Sequence, residues 1–149
     1  MLMSDEQQRL ERFRGFADAF ETAYATDDWT VLEPFLTEDV ASELNGARVE
    51  GRGAVIASLR TSCNAFDRRF DRRAMRIVEG PELRDGVVRI KTVNRYERAG
   101  LAPLELLGEE WFHFDGDRIS RHVDQVLNGA EVMGFLAQHG AALRPFVES

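Results

Sequence analysis

Apolar side chains recur near the start of the chain at helical spacing. Leu10, Phe13, Ala17, Phe20 and Tyr24 are separated by charged residues, and Ser4 with Gln7 forms a capping-box pair ahead of them. The pattern predicts an amphipathic helix of about 20 residues. Asp27 and Asp28 offer an N-cap for a short second helix, Trp29 to Leu36, with Pro34 near enough to its start to be tolerated. Val40 to Leu44 reads as a short strand, Asn45-Gly46 as a turn, and Arg48 to Glu50 as a brief return. Gly51 and Gly53 flank the entry to a third helix, whose stripe is Val55, Ile56, Leu59, Cys63, Phe66 and Phe70.

The period then changes from helical to alternating. Arg72 to Glu79 is closed by Gly80-Pro81, Val87 to Glu97 is entered through Asp85-Gly86, and Leu104 to Phe114 turns at Asp115-Gly116-Asp117 into Arg118 to Leu127. These turn residues suit antiparallel hairpins. After Asn128-Gly129, the stripe Val132, Met133, Phe135, Leu136, Leu143 and Phe146 predicts a closing helix. Segregated helices and strands predict an α+β fold: a cone-shaped, curved antiparallel sheet closed by N-terminal helices around a blind cavity. Nothing marks a linker, so residues 1–149 read as one domain.

Composition narrows the partners. With 26 acidic and 19 basic residues the net charge is −7, which argues against a nucleic-acid backbone or an anionic membrane. The run Arg68, Arg69, Arg72, Arg73, Arg76 is the local exception. It reads as a solvated face paired with nearby acids, or as a site for an anionic ligand or a partner subunit. The single cysteine, Cys63, lies on a buried stripe and reads as a core residue, not a nucleophile. One cysteine and no signal-like N-terminus fit a cytoplasmic protein. No apolar run approaches the ~20 residues that cross a bilayer. Walker loops, dinucleotide fingerprints, CxxC pairs and nucleophile elbows do not occur, so no cofactor is expected.

The element order, with GRGAVIASL after the first strand and GEEWFHFDGDRISRHVD near the end, resembles the SnoaL-like branch of the nuclear transport factor 2-like superfamily. The resemblance covers almost the whole chain. It implies a cone with a central pocket for a small ligand, and a homodimer formed through the outer sheet face. Ketosteroid isomerases of this superfamily use a tyrosine and two aspartates. The matching positions are Phe20, Leu44 and Glu110, and only the last keeps a carboxyl group. SnoaL-type cyclases use a histidine and an aspartate, which are Glu110 and Leu127 here. Limonene-epoxide hydrolases match at Asp124, with imperfect counterparts in Arg95-x-Glu97 and Glu43-x-Asn45. Alternation objects to part of that match. Val88, Ile90, Thr92, Asn94 and Tyr96 share the more apolar face of their strand, and Arg95 and Glu97 lie on the other.

The chemistry concentrates in the last hairpin. A three-residue loop, Asp115 to Asp117, brings Glu110 opposite His122; a two-residue Asp-Gly turn puts Glu109 there instead. The resemblance favours the first, and then Glu110, His122 and Asp124 line one pocket with Phe112. Two carboxyl groups and an imidazole in an apolar cavity can hold one proton and pass it to and from a substrate. Asp124 and His122 are the candidate acid–base pair and Glu110 the group that tunes it. Asn45, Asn94, Tyr96, Phe112 and Trp29 are candidates to bind and orient substrate. The alternative is a Glu–His pair of purely structural role in a ligand-binding or dimerising module. One imidazole and two carboxylates are too unspecific to predict a metal site.

Overall fold

The computed structural model describes residues 4–146. The first helix, α1 (Asp5–Thr26), begins with the predicted capping box: Ser4 Oγ accepts from the Gln7 backbone N–H, and Gln7 Oε1 accepts from the Ser4 backbone N–H. Asp27 ends it in the left-handed region (φ 60°), and Asp28 caps the next turn by accepting from Thr30 N–H. That next element is a 3-10 helix, Trp29–Phe35, rather than an α-helix. Seven residues with Pro34 inside lack the donor needed to settle into regular i→i−4 bonding.

The strands are β1 (Leu36–Leu44), β2 (Ala47–Glu50), β3 (Arg72–Arg84), β4 (Val87–Glu97), β5 (Leu104–Asp115) and β6 (Arg118–Val126). Helix α2 (Arg52–Ala65) lies between β2 and β3, and α3 (Gly129–His139) follows β6. The sheet order is β2-β1-β6-β5-β4-β3. Every neighbouring pair is antiparallel except β1 with β6, which is parallel. The first strand in the chain thus joins the last, and α2 crosses to the free end of the sheet.

Several boundaries differ from the sequence expectation, α3 among them, which stops at His139 short of Leu143 and Phe146. Helix α2 stops at Ala65, so Phe66 and Phe70 pack from the following loop and 3-10 turn. Strand β1 begins at Leu36, not Val40. Strand β3 continues through Gly80-Pro81 to Arg84, with register irregularities between Ile77 and Glu82. Gly80 makes this passage possible: its φ is +89°, and a Cβ there would lie 2.6 Å from the Arg89 carbonyl oxygen.

Two apolar clusters frame the interior. One joins α1, the 3-10 helix and α2 to the sheet through Phe13, Leu32, Val40, Val55, Val88, Phe112 and Ile119, all nearly inaccessible to solvent. Phe13 and Phe16 meet Phe112 edge-on, with centroids 5.0 and 5.7 Å away. Burial of each such ring stabilises the fold by roughly 1.5–3 kcal/mol. The other cluster is Phe70, Tyr96, Leu104, Val132 and Leu143, where α3 and the following turn dock. Among the described residues no helix is long and apolar enough to cross a membrane.

Candidate functional site

Between the two clusters the concave face of the sheet bounds a cavity of about 350 Å³. Its floor can be read row by row from the strand register. Leu44, Asp124, Glu110 and Ile90 stand side by side across β1, β6, β5 and β4. The row beside it is Ser42, His122, Phe112 and Val88. On the other side lie Val126, Gly108, Thr92 and Ile77. Gly108 leaves a notch in that last row, since a Cβ there would lie 3.0 Å from Thr92 Oγ1 and 3.9 Å from Asp124 Oδ1.

The final hairpin reaches this arrangement by neither of the two expected turns. Asp115 pairs with Arg118, so the turn is Gly116-Asp117, with Gly116 at φ 62°. Phe114 then pairs with Ile119, but His113 pairs with Arg121, leaving Ser120 as a bulge. Past the bulge, Phe112 stands opposite His122 and Glu110 opposite Asp124. Without the extra residue Trp111 would face His122 and Glu109 would face Asp124. Ile119 and His122 are both buried although they are three residues apart, a spacing that puts side chains of a regular strand on opposite faces. The bulge lets the strand bury both. Glu110, His122, Asp124 and Phe112 therefore share the cavity, and Glu109 lies on the outer face, paired with Arg89.

His122 Nε2 lies 2.8 Å from Glu110 Oε1, and its ring stacks on Phe112 with centroids 4.7 Å apart. The imidazole is 6% exposed. Burial pulls its pKa down, but the Glu110 hydrogen bond and charge, helped by Asp124, outweigh burial and hold it above the ordinary value. The 2.8 Å contact and the raised imidazole pKa favour the form of His122 that donates from Nε2 to Glu110 Oε1. Asp124 makes no side-chain hydrogen bond among those of the described residues, and its carboxyl is pushed up to about 7, first by desolvation and then by the Glu110 charge. With Asp124 protonated, the trio carries no net charge, the state an apolar wall tolerates best. Ligand atoms of the three residues lie within 4.8 Å of one another, close enough to gather around a divalent cation. Nε2 and Oε1 already satisfy each other across 2.8 Å.

The other expected site residues divide. Asn45, Asn94 and Tyr96 line the cavity. Asn45 Oδ1 is engaged with the Val126 backbone N–H, and the Tyr96 hydroxyl donates to Asp67 Oδ1 at 2.9 Å. Trp29 does not line the cavity. It is buried against Phe20, with its indole N–H bonded to Asp27, so it is a packing residue at the end of α1. Phe20 and Leu44 line the cavity. Arg95 and Glu97 bond to each other on the outer face, as alternation required, while Leu127 is half exposed. Cys63 borders the cavity with its thiol pushed up to about 12, mainly by burial, which leaves no thiolate for nucleophilic attack.

The arginine run corrects another expectation. Arg73 and Arg68 turn inward, and the Arg73 side chain is only 4% exposed. Both guanidiniums lie over the Tyr24 ring, 4.4 and 4.6 Å from its centroid. Arg73 also contacts Asp67 and Glu21, and all three line the cavity. A charge run gave no signal for this, because which arginines fold inward depends on where the loop after α2 meets β3.

No protein-family model matches the chain, and no curated protein matches it. Solved structures do. Bal32a, from a soil-derived mobile gene cassette, is 19% identical with a TM-score of 0.66, over 89% of this chain and 98% of its own. A protein from Jannaschia sp. CCS1 assigned as a SnoaL-like polyketide cyclase is 16% identical with a TM-score of 0.69, covering 89% and 94%. An NTF2-like protein from Anabaena variabilis is 14% identical with a TM-score of 0.64, covering 85% and 94%.

The chain has the nuclear transport factor 2-like fold.

Within that fold the sheet, α1 and α2 wall the cavity, and Glu110, His122 and Asp124 form one of its two ionisable clusters. A fold shared at this level of identity carries no reaction with it.

Proposed function

We propose that this pocket protein is a cofactor-independent acid–base enzyme of the isomerase, cyclase, dehydratase or epoxide hydrolase kind, acting on a small, mainly hydrocarbon substrate. The observation that carries the reading is Asp124: an unbonded carboxyl group in the wall of an apolar cavity, poised near neutrality beside a Glu110–His122 pair. A group that titrates near the working pH is both available as a base and strong enough as an acid once protonated. Asp124 would take or give the proton at the reacting atom. Glu110 and His122 are positioning groups: their bond fixes the imidazole, and the Glu110 charge adds to burial in raising the basicity of Asp124. The pocket-lining aromatic and aliphatic side chains exclude water and hold the substrate body. Homodimerisation through the outer sheet face accompanies this reading.

The test is proton exchange in heavy water. A panel of enones, β-dicarbonyl compounds and epoxides is incubated with the protein, and deuterium incorporation or ring opening is followed by NMR. The expected result is catalysed turnover of at least one compound class, reduced about 10²–10⁴-fold in Asp124→Asn. Turnover that survives Asp124→Asn unchanged would remove Asp124 from the reaction. Ligand binding without any turnover would favour a binding module of the same fold.

A further inference from the structure

The polar cluster built on Arg73 lies apart from the proposed proton-transfer trio yet borders the same cavity. It draws on four places in the chain: Glu21 from α1, Asp67 from the turn after α2, Arg73 from β3 and Tyr96 from β4. In the sheet register Arg73 stands beside Tyr96, whereas Glu110 and Asp124 stand beside Ile90. Thr92 and Asn94 separate the two positions along β4. The cavity therefore has an ionisable cluster at each end of a wall whose other lining residues are uncharged.

Arg73 is an unusual residue to leave in such a wall. Its side chain is 4% exposed, and its Nε, 3.3 Å from Asp67 Oδ2, has no hydrogen-bond partner. Its two terminal nitrogens are held by one group only, the Glu21 carboxylate, at 3.0 and 3.3 Å. Glu21 contrasts with Arg73: its side chain is 47% exposed, and it makes no other hydrogen bond or ion pair among the described residues. Asp67 is held by the Tyr96 hydroxyl, which donates to its Oδ1 at 2.9 Å. A buried, fixed guanidinium thus presents its fork to an exposed carboxylate that is free to swing into solvent.

We propose that Arg73 is the anchor for a ligand carboxylate, with Glu21 as a built-in placeholder that the ligand displaces. Exchange of one carboxylate for another keeps the local charge unchanged and preserves the fork geometry that guanidinium favours. The displaced Glu21 regains water. The ligand prevails over this tethered competitor through the apolar contact of its body with the cavity wall. The substrate class that follows is an amphiphilic carboxylic acid, with its carboxylate at Arg73 and its reacting carbon or oxygen at Asp124. This inference rests on the cavity being the substrate site, but not on Asp124 being catalytic.

The experiment compares two probes of equal chain length, decanoate and decan-1-ol, by titration calorimetry on the full chain. For the native protein, decanoate is expected to bind more tightly than the alcohol. Glu21→Gln keeps the size of the placeholder and removes its charge, so decanoate should tighten about tenfold while decan-1-ol stays unchanged. Arg73→Lys retains the charge but loses the fork and should erase the preference for decanoate. Because Arg73 is buried, Glu21→Gln is the deciding variant if the lysine variant does not fold. If Glu21→Gln alters both probes equally, or neither, the anchor assignment is wrong; failure of both probes to bind counts the same way. In Asp124→Asn the preference for decanoate over decan-1-ol should persist even where turnover is lost, which separates this reading from the proton-transfer one; loss of the preference there would count against the anchor assignment.

Discussion

Replacing Asp124 by asparagine tests the proposed site without any knowledge of the substrate. Asparagine has the same shape, and no side-chain hydrogen bond of Asp124 is lost among the described residues. What disappears is one titrating proton. The folded carboxyl is raised from the ordinary 3.8 to about 7. A raised carboxyl pKa means that the unfolded chain releases this proton first. Stability from the protonated group is therefore full below about 3.8, lost as pH rises, and gone above about 7. Three pKa units at 1.36 kcal/mol each give a loss of about 4 kcal/mol between pH 4 and pH 8. The asparagine variant has nothing to lose over that range. A buried amide without a partner costs it about 1–3 kcal/mol, but equally at both pH values. The difference in stability between variant and native protein should thus move by about 4 kcal/mol in favour of the variant from pH 4 to pH 8. For a chain of this size that is a relative shift in Tm on the order of 10 °C. Paired thermal melts by circular dichroism across the pH series measure it. A difference in Tm that does not depend on pH would show that Asp124 titrates as an ordinary surface aspartate, and the acid–base argument would fail with it.

Two more expectations follow from the same wall. Glu110→Gln removes the carboxylate that holds His122 charged, so burial prevails and the imidazole should titrate below its ordinary value. The variant also lowers the Asp124 pKa, so the pH-dependent loss of stability moves to lower pH; NMR titration of the His122 ring and the same melts read both, and an unmoved His122 would refute the pairing. Gly108→Ala places a methyl group 3.0 Å from Thr92 Oγ1 and 3.9 Å from Asp124 Oδ1 without backbone strain. The fold should survive with a cost within about 1–3 kcal/mol, while ligand binding next to Asp124 weakens markedly in calorimetry.

Much of this architecture is written in local pattern. The capping box at Ser4 and Gln7, the stripe through Phe13 and Tyr24, and the Asn45-Gly46 and Asp85-Gly86 turns each act within a few residues. Both turns take positive φ at both central positions, as two-residue hairpins demand. The alternation along β4 likewise determined that Thr92, Asn94 and Tyr96 face inward and Arg95 and Glu97 outward. Period and turn chemistry are short-range constraints, so the order of the elements and the face of each regular strand can be read without the fold.

Which groups meet was decided elsewhere. The facing of Glu110 and Asp124 depends on one bulged residue, Ser120, and the pressure for that bulge comes from burying Ile119 and His122 together. No local turn signal carries that demand, since it is set by what α1 and the neighbouring strands offer on the inside. Parallel pairing of β1 with β6 joins residues about 80 positions apart, a contact that only closure of the whole sheet creates. Arg73 makes the same point. In the sequence it is one of the five arginines of a single run, Arg68 to Arg76. In the structure its side chain is almost wholly enclosed, because α1, the turn after α2 and β4 bring Glu21, Asp67 and Tyr96 around it. Burying a guanidinium is tolerable only where several distant elements supply compensating charge, and that condition exists in three dimensions alone.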